Sequence, residues 1–350
     1  MDAIVETILN SLREWAQDAT SQAAGHWESI YLFGSVTNPD SGRFNPRESD
    51  IDLLAVFHSS CNLPYERVQA CTGLLGHLQI LETRLVTIGL SSTANQPIVS
   101  CGAFAQFELD LGVNTSYDPQ WLVRNRFLDL SSNSIARSLR DNVIDLPSTS
   151  ADAVNVLVKC NEYRKRFLSI SATGSRQVNA FQSGDPILKG VGRTAVRMMG
   201  GGSTDLSYDP PTGLRHLLRL LDTFDGEIYS EAARKLTSAI EGRPQEIGVE
   251  KQLLIWEVLA HEAKSRLTAA AAAAAAAAAP DLVLGVADIG TDLSSSQSAL
   301  AFNYYRENRY TLTRIARSYY DGVAHPDYPV VTRHQFLPTS PILWAPARTY

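Results

Sequence analysis

One stretch constrains this chain more than any other: Ser49-Asp50-Ile51-Asp52-Leu53-Leu54-Ala55-Val56. Ile51 to Phe57 is apolar and β-prone, which predicts a strand with two carboxylates at its start. A strand turns residues i and i+2 to the same face, so Asp50 and Asp52 point the same way, a few ångströms apart. Carboxylates that close repel unless positive charge lies between them. A divalent cation is the usual solution, and Mg²⁺ takes one or two carboxylates together with phosphate oxygens.

A second feature belongs with the first. Ser29 to Phe33 has the pattern of a short strand running into Gly34-Ser35. Glycine lets a backbone come close to a phosphate, and serine offers a hydroxyl and an N–H to the same group, best at a helix start. Residues 37–49, rich in Asn, Pro, Asp, Ser, Gly and Arg, predict a loop between the two strands. Gly-Ser alone or Asp-x-Asp alone is common. Here each stands at a strand end, with Ser49 before the acid pair and an apolar run after it, and the combination is far more specific.

The surrounding chain predicts an α+β protein: a mixed-sheet domain followed by a helical bundle. Ile4, Ile8, Leu12 and Trp15 recur at helical spacing, so 3–18 reads as a helix, and Tyr65 to Leu78 as another. Leu81 to Ile88 and Ala103 to Val113 read as further strands. Helical periodicity then recurs over 151–170, 187–199, 213–224, 229–241 and 250–267. Leu146-Pro147-Ser148-Thr149-Ser150 breaks the pattern, giving expected domains at 1–147 and 148–268, with a C-terminal extension over 280–350. In that extension 301–320 reads as helical and the last thirty residues as extended. The eleven alanines at 269–279 favour helix on propensity. They stand equally for a true polyalanine tract or for positions whose side chains are not identified, so they carry no functional argument, and the run is too short to span a bilayer.

Bulk properties exclude some classes. With 44% hydrophobic and 19% charged residues the balance is globular rather than disordered. A net charge of −6 argues against wholesale attraction to phosphate backbones but leaves room for a local basic patch or one nucleotide site. Cys61, Cys71, Cys101 and Cys160 form no CxxC pair and predict reduced thiols packed in a cytoplasmic protein. The acidic start, Met1 to Glu6, is no signal peptide, and no membrane association is expected.

Tyr31-Leu32-Phe33-Gly34-Ser35 and Ser49-Asp50-Ile51-Asp52-Leu53-Leu54 together resemble the polymerase β-like nucleotidyltransferases. Within that superfamily they are similar to the aminoglycoside (streptomycin/spectinomycin) adenylyltransferases and to the minimal nucleotidyltransferases of toxin–antitoxin pairs. The match covers roughly residues 28–90, and loop 36–48 is longer than the linker of the minimal enzymes. The resemblance implies a fold, an activity and a cofactor. An NTP, with ATP expected, is bound with two Mg²⁺ ions on Asp50 and Asp52, and a nucleoside monophosphate passes to an acceptor hydroxyl. It also implies a third carboxylate on a neighbouring strand. Glu82 is the preferred candidate for this catalytic and metal-binding role, and Asp110 is the alternative.

Gly34, Ser35 and Ser49 fall at the expected phosphate-binding positions. Relatives reach the β- and γ-phosphates with a basic residue from the helical domain. Lys189 and Arg193, four apart behind Asp185-Pro186, fit that place. Lys159, Arg164, Lys165 and Arg166 form a denser basic stretch that serves the same end, contacts a nucleic acid, or is simply solvated.

Three functions follow. A small-molecule acceptor such as an aminoglycoside, in antibiotic resistance, predicts an acidic cleft, for which Glu108, Asp110, Asp222 and Asp225 are available. A toxin- or defence-type enzyme acting on tRNA, protein or nucleotides, cyclic oligonucleotide synthesis included, predicts a basic surface. A degenerate member that only binds a nucleotide or a partner is the third, disfavoured by the intact motifs.

Overall fold

The computed structural model describes residues 3–22, 25–37, 44–47, 49–91, 97–113, 121–136, 138–140, 144, 146, 150–169, 186–200, 210–241 and 247–278. Two compact units are present, one from Met1–Ile144 with Thr149–Ser265 and one from Asp145–Ser148 with Arg266–Tyr350. The sheet and the candidate site described below lie in the first. The helix and extended segment expected over 301–350 lie outside the described residues.

Helix α1 (Ala3–Gln22) buries Ile8, Leu12 and Trp15 on one face, as their spacing predicts. Trp15 Nε1 donates to the His77 carbonyl at 2.7 Å, fastening α1 to the next long helix. Strands β1 (Trp27–Phe33) and β2 (Ile51–Phe57) follow, and they pair antiparallel with Phe33 opposite Asp52.

Helix α2 (Pro64–Ile88) corrects an expectation. Leu81 to Ile88 is no strand but its last two turns. Leu74, Leu78, Leu81 and Leu85 keep one buried helical stripe through the segment, and that periodicity outweighs the β-prone Leu-Val-Thr-Ile content. The helix ends where Gly89, at φ +103°, turns left-handed and gives its N–H to the Leu85 and Val86 carbonyls.

The next strand also begins earlier than its pattern suggests. β3 (Val99–Phe104) runs parallel to β2 with Ser100 opposite Asp52, and the chain then bends into the short helix α3 (Gln106–Asp110) rather than continuing extended to Val113. Glu108 closes that bend by accepting the Ala105 N–H at 3.0 Å. After α4 (Trp121–Arg124), β4 (Phe127–Asp129) and β5 (Ile135–Ala136) complete a mixed sheet in the order β3-β2-β1-β4-β5. The fold is α+β, as expected.

The face that carries Asp52 buries Phe33, Leu54, Val56, Phe104, Leu109, Leu122, Phe127 and Leu139 in one cluster. All four cysteines are free and buried. Burial pushes the Cys101 thiol up to about 12, as suits packed, unreactive sulfur.

Further helices follow, each near its expected span: α5 (Ala151–Leu168), α6 (Pro186–Gly200), α7 (Pro210–Leu221), α8 (Glu227–Ile240) and α9 (Val249–Ala278). α5 lies along the open edge of β3, where Asn161 Nδ2 and Arg164 Nη1 both donate to the Ala103 carbonyl, at 3.0 and 3.2 Å.

Arg164 is also the centre of a buried charge network. It pairs with Glu257 of α9 at 2.5 Å and with Glu108 of α3 at 2.6 Å, while Arg67 of α2 reaches Glu257 at 2.8 Å. Two guanidiniums and two carboxylates thus balance in the interior, and they tie three helices to the turn after β3. Arg164 is therefore no member of a solvated basic face, and Glu108 lines no acceptor cleft.

α6 and α7 cross with backbones almost touching: a Cβ added at Gly213 would stand 1.9 Å from the Gly192 carbonyl oxygen. Gly213→Ala is expected to destabilise the protein by about 1–3 kcal/mol or more, since backbone must move apart. A urea titration checks it.

Candidate active site

β1 delivers the chain to Gly34, whose φ of +85° is the left-handed conformation that side chains disfavour. Ser35 to Thr37 follow as one turn of 3-10 helix, closed by Thr37, whose N–H and Oγ1 both donate to the Gly34 carbonyl at 3.3 and 2.8 Å. Ser35 thus opens a single turn rather than a full helix. The register Phe33 opposite Asp52 brings this turn over the acid pair. A Cβ on Gly34 would lie 2.7 Å from Asp52 Oδ2, so only glycine leaves that carboxylate its place.

Asp50 is exposed and Asp52 half-buried at the start of β2. Burial pushes the Asp52 carboxyl up to about 6; the negative charge of Asp50 adds to the rise and Lys165 opposes it. Lys165 comes from α5, one residue past the buried Arg164. Within the basic stretch its charge is the one felt by Asp52. The available signal was its position four residues after Asn161, on the helix side that meets β3.

Ser49 sits at the mouth of the loop. Its N–H donates to the Asn45 carbonyl at 2.8 Å and its Oγ accepts the Asn45 N–H at 3.0 Å. This pinned turn sets the direction from which Asp50 enters the strand.

Neither candidate for the third carboxylate lies on a strand. Glu82 lies on α2, buried, and its Oε1 accepts the Val99 N–H at 3.3 Å, pinning the start of β3. Asp110 ends α3; its Oδ1 accepts from Gln106 Nε2 at 3.0 Å, and its carbonyl accepts from Arg140 Nη2 at 2.5 Å. The strand position facing Asp52 from β3 is held by Ser100. Among the described residues, no group of three or more His, Cys, Asp or Glu is placed to hold a metal ion. Lys189 and Arg193 lie on an exposed stripe of α6.

A left-handed glycine turn pressed against a two-carboxylate strand of a mixed sheet is the arrangement that the resemblance to polymerase β-type nucleotidyltransferases predicts. The chain belongs to the family described as Pol beta superfamily nucleotidyltransferase in conflict systems, whose model matches residues 12–264. It is thus a nucleotidyltransferase of a defence-type family. No curated protein matches the chain. Among the described residues, no helix is long and apolar enough to cross a membrane.

Gly34→Ala is expected to weaken metal-dependent nucleotide binding at least about tenfold, because the clash falls on the Asp52 carboxylate, and to cost about 1–2 kcal/mol of stability from the left-handed φ. Titration of a fluorescent NTP analogue measures it.

Proposed function

We propose that this enzyme transfers a nucleoside monophosphate, AMP from ATP being the expected case, to an acceptor hydroxyl. One observation carries the proposal: Asp50, Asp52 and the Gly34 turn meet at one sheet end, where the charge of Lys165 also bears on Asp52. Mg²⁺ fits this donor set, two hard oxygens a few ångströms apart, and when bound it neutralises charge on the phosphates. Asp50 and Asp52 hold it. Gly34 is exposed and Ser35 half-buried, which leaves room for phosphate oxygens at close range.

Lys165, beside Asp52, holds the outgoing phosphates in the place first expected for Lys189 and Arg193. The acceptor oxygen bonds to the α-phosphorus as the bond to pyrophosphate breaks, and positioning with electrostatics supplies most of the rate. In this reading residues 1–147 contribute the acids and 148–268 the cations. The third carboxylate role is left to Glu82 or Asp110 only if nucleotide binding draws one of them forward. Both are engaged elsewhere here.

The family description favours a defence role over antibiotic resistance. The acidic-cleft argument for an aminoglycoside also loses Glu108 to the buried network.

Incubation with Mg²⁺ and each α-labelled NTP, with tRNA, aminoglycosides or no acceptor, tests the reaction. Label transfer that disappears in Lys165→Ala at low NTP and returns at high NTP supports the phosphate role. No transfer and no metal-dependent NTP binding would sink the proposal.

A further inference from the structure

Helices α6 and α7 carry five cations, Lys189, Arg193 and Arg197 on the first and Arg215 and Arg219 on the second, and neither helix contains an Asp or Glu. All five are exposed. This is a sharp local excess in a chain of net charge −6. α5 differs in composition, since it carries an acid of its own, Glu162, between Lys159 and Arg166.

On each helix the cations recur every fourth residue, in steps of about 6 Å along one face. The Gly192–Gly213 crossing joins the two helices with their backbones almost touching. Four of the five are arginines, whose planar fork matches phosphate oxygens in pairs. A membrane surface would call for apolar side chains interleaved with the cations. The exposed large hydrophobics of the described residues, Leu63, Ile80, Val86 and Ile135, all lie on other elements.

We propose that the exposed faces of α6 and α7 bind the phosphate backbone of an RNA, and that this RNA carries the acceptor hydroxyl. The second part rests on the function proposed above. RNA suits it because every nucleotide adds a ribose hydroxyl to the polyanion. In the transfer, a ribose oxygen gains the bond to the α-phosphorus, pyrophosphate leaves with the electrons of the broken bond, and the hydroxyl proton passes to solvent.

The test is fluorescence anisotropy of the full chain with labelled bulk tRNA across a KCl series. The quadruple variant Arg193→Gln, Arg197→Gln, Arg215→Gln, Arg219→Gln is expected to bind at least about tenfold more weakly. Its slope of log affinity against log salt should fall by about 0.7–0.9 for each phosphate that the variant no longer neutralises. Asp50→Ala with Asp52→Ala should bind RNA as the wild type does, so failure of the RNA surface and failure of the catalytic proposal are read separately. Circular dichroism checks folding, and if the quadruple variant unfolds, the two double variants, one per helix, are measured instead. RNA affinity unchanged by the substitutions overturns the proposal. So does tighter binding of polyglutamate or of phosphatidylserine vesicles than of RNA.

Discussion

Replacing both acids, Asp50→Asn with Asp52→Asn, is expected to lower nucleotide transfer on the order of 10³-fold or more while leaving the fold intact. In the proposed reaction the two carboxylates would be the charge that holds a divalent cation against the triphosphate, and the amides keep their shape without it. Stability should move the other way. Burial and the charge of Asp50 raise the Asp52 carboxyl from 3.8 to about 6, against the pull of Lys165.

A raised carboxyl means that the folded chain holds this proton more tightly than the unfolded chain. Its contribution to stability is therefore full below about pH 4, is lost as pH climbs through about 6, and is absent at neutral pH. The double variant escapes that loss. It is expected to melt a few degrees above the wild type at neutral pH in the absence of metal, with the gap closing at low pH. Transfer assays beside thermal melts at several pH values read both effects, and a variant that is inactive because it is unfolded is recognised at once.

Glu257→Ala is expected to cost about 3–5 kcal/mol, much of the stability of a domain this size. Glu257 is fully buried, and it neutralises both Arg67 and Arg164. Removing it strands two guanidiniums in the interior with only Glu108 and a few carbonyls to answer them. Burial alone would push the Glu257 carboxyl up. The charges of Arg164 and Arg67, with their hydrogen bonds, outweigh it and hold the group at about 2.

A lowered carboxyl stabilises above its unfolded value near 4.5 and loses that stabilisation as pH falls toward 2. Urea midpoints of the wild type should drop through that acid window, and those of Glu257→Ala should start low and change less. Equal midpoints for the two proteins at neutral pH would dismiss the network as a source of stability.

The sheet's chemistry was legible in the chain because strand periodicity is short-ranged: Asp50, Asp52 and Gly34 are set by neighbours within a few residues. The segment 81–88 was not, because its Leu-Val-Thr-Ile content suits a strand locally, while the stripe of Leu74, Leu78, Leu81 and Leu85 that decides the matter spans three turns. Arg164 looked like one more cation in a basic run. Its partners Glu108 and Glu257 are 56 and 93 residues away, and no local pattern announces a pairing of that range. Lys165 escaped for the same reason, since its target is fixed only when α5 docks on β3.

That docking has a consequence for what can add to the edge of the sheet. An exposed edge strand invites a foreign strand to add to the sheet. On the β3 side the Ala103 carbonyl is already taken by Asn161 and Arg164, and the helix that takes it also carries Lys165, proposed above to hold the phosphates. A foreign strand therefore gains no hold there without first prising α5 away. Doing so would break the interior charge network and withdraw Lys165 in one movement. Inhibition by that route and unfolding of the helical half would be the same event.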